Sequence, residues 1–175
     1  MPIHRGVVLG VVAMTVIVAA SNVLVQFQIN DWLTWGAFTY PVAFLVTDLT
    51  NRALGPTRAR QVVFAGFAIA ILLSIVLATP RIAIASGAAF LVAQLLDIGI
   101  FDRMRRIGVW WAPPLVSSSI ASAVDTALFF SIAFVGTSVP WITLGFGDYA
   151  VKLALALSML IPFRALMHFT RPQQA

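Results

Sequence analysis

Six long apolar runs follow one another along the chain, over about 7–25, 35–54, 61–79, 82–101, 115–135 and 149–168. Each is close to the 17–25 residues that a membrane-spanning helix needs. The run over 61–79 carries no charge and is the strongest lipid-facing candidate. Short connections separate the runs: "QINDWLT", "GPTRAR", "PRI", "DRMRRIGVWWAPP" and "GTSVPWITLGFGD". Gly55-Pro56 reads as a helix stop. No connection has room for a catalytic domain, a nucleotide fold or a zinc module. The pattern predicts an all-α integral membrane protein, one domain over 1–175, with six transmembrane helices around a polar cavity.

Composition sharpens that reading. The 175 residues are 61% hydrophobic and 10% charged, against about 25% charged in ordinary soluble domains. The mean hydropathy is +0.98. Too little charge is present to cover a soluble surface. "MPIHRG" and the run that follows read as a retained first span, because that run is long for a signal peptide. Cysteine is absent, which excludes a disulfide framework and thiolate chemistry. His4 and His168 lie at opposite ends of the chain and no metal-ligand spacing exists, so neither metal nor cofactor is expected. No serine–base pair is spaced for catalysis, and the chain is not expected to be an enzyme.

The net charge of +5 is read as topology and not as a nucleic-acid surface. With six spans, Arg5, Arg58, Arg60, Arg103, Arg105, Arg106 and Arg171 fall on one side, with His4. The opposite side has Arg81 alone near a helix end. Positive-inside bias then places both termini in the cytoplasm. Trp32, Trp35, Trp110, Trp111 and Trp141 lie in or beside connections, as an aromatic belt would.

Ionisable residues inside apolar runs are costly unless paired or hydrated, so they mark candidate sites. In the second run Tyr40, Phe44, Asp48 and Arg52 recur at four-residue spacing on one helix face, with Thr47 and Asn51 beside them. Arg52 can anchor at the headgroups with Asp48 as its local partner, or both can belong to a site. The fourth run places Gln94 and Asp97 on one face, with Ser86 eight residues before Gln94. Asp125 sits mid-run in the fifth, with Ser118 and Ser122 on its stripe and no basic residue in the same run. Asp148 and Lys152 form an i,i+4 pair that can neutralise itself, and Lys152 can also reach toward Asp125. Arg164 follows Pro162 and is either an anchor or part of a charge network. Asn22 and Gln26 share a face of the first run. "AFLVTDL" (Ala43–Leu49) and "AFLVAQL" (Ala89–Leu95) echo one another, suggesting similar inward faces on the second and fourth helices. Amides, carboxylates and few bases suit a small, flat, polar solute.

The stretches "YPVAFLVTDLTNRALG", "RIAIASGAAFLVAQLLDIGIFDRMRR", "SSSIASAVDTALFFSIAF" and "KLALALSMLIPFRALMH" resemble the queuosine precursor transporter family, formerly grouped as vitamin uptake transporters. The resemblance implies a six-helix inner-membrane protein, similar in fold to the substrate-binding subunits of vitamin uptake systems. It implies import of 7-cyano- and 7-aminomethyl-7-deazaguanine for tRNA modification. The family pattern falls on Asp48, Arg52, Ser86, Gln94, Asp97, Asp125, Lys152 and Arg164. For such a cargo, Asn22, Phe44, Asp48, Ser86, Gln94, Asp97, Asp125 and Lys152 are the candidate substrate-binding residues. Arg52, Asp148 and Arg164 are candidates for a gating or charge network. Phe44, Phe90 or Phe129 would stack on the flat ring. The expected partners are a deazaguanine and membrane lipid, with no nucleic acid. A homo-oligomer and an energising subunit stay open. The competing classes are a binding subunit that needs an ATP-driven partner, and a structural membrane protein or assembly factor.

Overall fold

The computed structural model describes residues 3–77 and 79–167. His168 and Arg171, named above, lie outside the described residues. The order is α1 (Ile3–Leu24), a hairpin of β1 (Gln28–Asn30) and β2 (Leu33–Thr34), then α2 (Gly36–Thr39) and α3 (Pro41–Leu54). α4 (Pro56–Leu77), α5 (Pro80–Met104), a 3₁₀ turn (Arg105–Ile107), α6 (Ala112–Phe134) and α7 (Trp141–Met167) follow.

Prolines and glycines set most of these boundaries. Gly55 takes φ 82°, a left-handed conformation that ends α3, and Pro56 opens α4. Thr79 caps α5 by accepting a hydrogen bond from the Ile82 amide, with Pro80 in the first turn. Pro113 and Pro114 occupy the first turn of α6. The expected second span is present as two pieces. Pro41 has no amide hydrogen for the helix ladder, so α2 gives way to α3 around Tyr40. The seventh helix begins at Trp141, eight residues before the expected 149, so much of the supposed fifth connection is helical.

The long helices run alternately up and down. One end of the bundle gathers the start of α1, where Gly6 meets Leu54, with the ends of α3, α5 and α7. The other end gathers the hairpin, α2, the start of α5 and the end of α6. Basic residues divide between these ends. Arg5, Arg52, Arg58, Arg60, Arg103, Arg105, Arg106 and Arg164 belong to the first, and Arg81 to the second.

Arg81 donates from Nε to the Ile132 carbonyl at 2.9 Å and from a terminal nitrogen to the Val135 carbonyl at 2.5 Å. These groups end α6, where carbonyls lack intrahelical partners. Arg81→Ala is expected to cost about 1 kcal/mol of stability, read as a lower unfolding temperature in detergent.

Large apolar side chains such as Val8, Val12, Val16, Ile84, Val92, Ile120, Leu157 and Ile161 point outward and are exposed. Polar side chains such as Asn22, Thr47, Asn51, Gln94 and Ser122 are buried. That is the reverse of a soluble domain and suits a lipid surround. Among the described residues, four helical segments, Arg5–Leu24, Pro80–Ile107, Ala112–Phe134 and Trp141–Met167, are long and apolar enough to cross a membrane. Inside, Tyr40 meets Phe44 and Phe90 edge-on at 6.3 Å each, and Phe90 stacks on Phe67 at 6.0 Å. In lipid such close packing, and not water exclusion, holds helices together.

Candidate functional site

The inward polar side chains form two layers. The layer nearer the hairpin is centred on Lys152, the chain's single lysine, which is 3% exposed. Its ammonium lies 2.7 Å from Asp125 Oδ2 and 2.6 Å from Asp148 Oδ2. It also donates to Thr126 Oγ1 at 3.1 Å, while the Thr126 hydroxyl donates to Asp148 at 2.7 Å. The Tyr40 ring stands 5.1 Å from the ammonium. Alongside, the Ser86 hydroxyl donates to Asn22 Oδ1 at 2.5 Å, tying α5 to α1, and Gln26 donates to the Asn22 carbonyl at 2.9 Å. A cavity of about 20 Å³ lies among Ser21, Asn22, Tyr40, Ser86, Phe129 and Lys152.

The second layer lies toward the basic end, between α3, α5 and α6. The Thr47 hydroxyl donates to Gln94 Oε1 and Asn51 donates to the Ile98 carbonyl at 3.2 Å. Asp48 accepts a long contact from the Ser118 hydroxyl at 3.5 Å. Asp97 is fully buried, with Asp48 and Ser117 as its polar neighbours. The Gln94 amide nitrogen is buried without an acceptor among the described residues. Lys152 also borders this layer, with Phe44, Asp48, Ser118 and Ser122, around a cavity of about 10 Å³. The α3 and α5 echo is visible here, since Phe44 and Asp48 face inward as Phe90 and Gln94 do.

Two expectations change. The polar residues converge, but they are packed against one another and enclose about 20 and 10 Å³, whereas a small-molecule site needs about 300–1,000 Å³. Such spaces hold little more than a water molecule. The four-residue spacing of Asp48 and Arg52 does not make an ion pair. Asp48 turns into the bundle toward Asp97, whereas Arg52 faces Arg164 at the basic end. Arg164 in turn stacks over Trp110 at 4.7 Å. Of the gating candidates, Asp148 therefore belongs to the lysine cluster, and Arg52 and Arg164 lie apart from both layers.

Sequence reasoning did not single out Ser21, Ser117 or Thr126. Thr126 directly follows Asp125, and a hydroxyl beside a mid-helix acid was the available signal.

Outward apolar helices around a buried set of charges define a multi-pass membrane protein. The family described as "Putative vitamin uptake transporter" matches residues 34–79 and 72–167. A "Probable queuosine precursor transporter" of Haemophilus influenzae is 37% identical, with 83% of this chain and 79% of the relative covered. The "Queuosine precursor transporter" of Escherichia coli is 32% identical over the same shares of each chain, 83% and 79%. A "Probable queuosine precursor transporter" of Bacillus subtilis is 27% identical, covering 73% of this chain and 68% of the relative. The chain belongs to this queuosine precursor transporter family. No solved structure matches it.

Proposed function

We propose that this chain imports queuosine precursors, 7-cyano- and 7-aminomethyl-7-deazaguanine, across the inner membrane for tRNA modification. The names of the relatives point to the cargo class. The observation that carries the reading is on α5. Asp97 offers a buried carboxylate with Asp48 and Ser117 as its polar neighbours, and Gln94, three residues earlier on the same face, offers a buried amide donor without an acceptor among the described residues. A deazaguanine edge presents a ring N–H and an exocyclic amine, which one carboxylate accepts together, beside a carbonyl that needs a donor. Asp97 fills the first role and Gln94 the second. Asn22, Ser86 and Lys152 supply further polar contacts, and Phe44 supplies an aromatic wall.

Charge extends the match to the aminomethyl cargo, which is cationic. Asp48, Asp97, Asp125 and Asp148 are all buried, and Lys152 is the one buried ammonium among the described residues. Carboxylates in excess favour a positively charged guest. Admission requires the helices to part, because the packed layers leave no room for a ring. We place the basic end in the cytoplasm by the positive-inside rule. Both termini then lie inside.

Binding of the aminomethyl deazaguanine to purified protein, followed by calorimetry, tests the site. Asp97→Asn and Asp125→Asn are each expected to weaken binding at least about tenfold, the loss of one charge-assisted hydrogen bond. Unchanged affinity in both variants would remove the carboxylates from the site. A separate ATP-driven subunit, if required, would copurify with the chain and its deletion would stop uptake.

A further inference from the structure

The basic end of the bundle holds a further and larger concavity, which shares only Phe163 with the lining of the second polar layer's cavity. Its volume is about 570 Å³, far larger than the spaces between the layers. Arg52, Arg105 and Arg106 border it, and its walls are apolar, formed by Phe101, Trp110 and Phe163.

The guanidinium groups here lack counter-charge. Asp102 is the nearby carboxylate, and it is engaged by Arg105 at 2.9 Å. Among the described residues no carboxylate or carbonyl accepts a hydrogen bond from Arg52, Arg106 or Arg164, and the Arg52 Nε is buried without an acceptor. Arg52 and Arg164, from α3 and α7, are near enough for the charge of one to act on the other. Arg164 is held in place over the Trp110 ring. Long flexible side chains of like charge separate in water unless something favours their approach. Pro113 and Pro114 lack amide hydrogens and the Ala112 and Leu115 amides already donate to the Val109 and Trp111 carbonyls, so the first turn of α6 has no free donor and recognition falls to the arginines.

We infer that this cavity binds a phosphate group, held by Arg52 and Arg106 and reinforced by the charge of Arg164 behind the Trp110 ring, with the apolar wall of Phe101, Trp110 and Phe163 beside it. Guanidinium forks match phosphate oxygens in pairs. A phosphate flanked by apolar surface is the chemistry of an anionic phospholipid headgroup with the start of its chains, and basic pockets between membrane helices take such headgroups. A free phosphate would use the same donors without the wall. The exposed Arg58 and Arg60 carry similar charge at the same end but do not line this cavity.

Native mass spectrometry of the full chain, with phosphatidylglycerol or phosphatidylcholine added, reads the site. Phosphatidylglycerol is expected to survive delipidation about tenfold more often than phosphatidylcholine. Arg52→Gln with Arg164→Gln should erase that preference, whereas Arg58→Gln with Arg60→Gln should leave it within about twofold. Arg106→Gln alone, at an exposed position, should reduce it and covers the case in which the double variant fails to fold. Inorganic phosphate that displaces the lipid at millimolar concentration would assign the site to a free phosphate. Equal retention of both lipids together with no phosphate binding would overturn the inference. So would an equal loss in the Arg58/Arg60 variant, which would mark mere surface attraction.

Discussion

Lys152→Ala is expected to lower stability by about 3–5 kcal/mol, the usual cost of removing one partner from a buried ion pair, and to abolish uptake. Asp125 and Asp148 are 3% and 4% exposed, and Lys152 is the cation that both contact. Without it, two carboxylates from α6 and α7 face each other in an apolar interior. Thermal unfolding in detergent measures the loss. The double variant Lys152→Ala with Asp125→Asn removes one of the two stranded charges and should recover part of the stability while leaving uptake absent. Wild-type stability in the single variant would show that the cluster does not hold α6 to α7.

Gly147→Ala should disrupt the opposite side of α7. An added Cβ would lie 1.9 Å from the Trp32 carbonyl oxygen and 2.8 Å from its carbon. These are backbone atoms of the turn between β1 and β2, which cannot swing aside as a side chain can. The same contact is held by the Thr143 hydroxyl, which donates to the Asp31 carbonyl at 2.9 Å. The alanine must push the hairpin away or shift the first turns of α7. Asp148 is the next residue, so a shift reaches the lysine cluster. The expected outcome is a loss of about 2–3 kcal/mol, in the range of core overpacking, with uptake sharply reduced. Gly99→Ala is the control: its Cβ would meet nothing within 4 Å, and both stability and uptake should stay near wild type.

That glycine also shows where the sequence was readable. Gly55-Pro56 and Thr79-Pro80 mark helix ends by local chemistry, and the structure ends and starts helices there. Pro140, Gly145 and Gly147 look equally turn-like, but the helix begins at Trp141 and Gly147 serves close approach instead. Local preference was overridden by packing against the hairpin, a contact between distant segments that no window of sequence contains. The hairpin itself is five strand residues long and carried no alternating pattern to announce it.

The site divides in the same way. Burial of Asp48, Asp97 and Asp125 was legible because each interrupts an apolar run. The sequence left Lys152 open between Asp148 and Asp125, and it contacts both. The pairing of Asp48 was not legible. Its spacing to Arg52 favours a local pair, but the rotation of α3 turns Asp48 toward α5 and α6. Helix rotation is set by interlocking side chains of several helices at once, including the Tyr40, Phe44 and Phe90 cluster. The packed interior was illegible for the same reason, since inward polarity does not state how far apart the helices stand.

The most direct measurement is uptake of radiolabelled 7-aminomethyl-7-deazaguanine by proteoliposomes that contain this chain alone. Accumulation above protein-free liposomes is expected, and so is loss of that accumulation in Asp97→Asn. Uptake no greater than in protein-free liposomes, from folded protein and with ion gradients imposed, would contradict it.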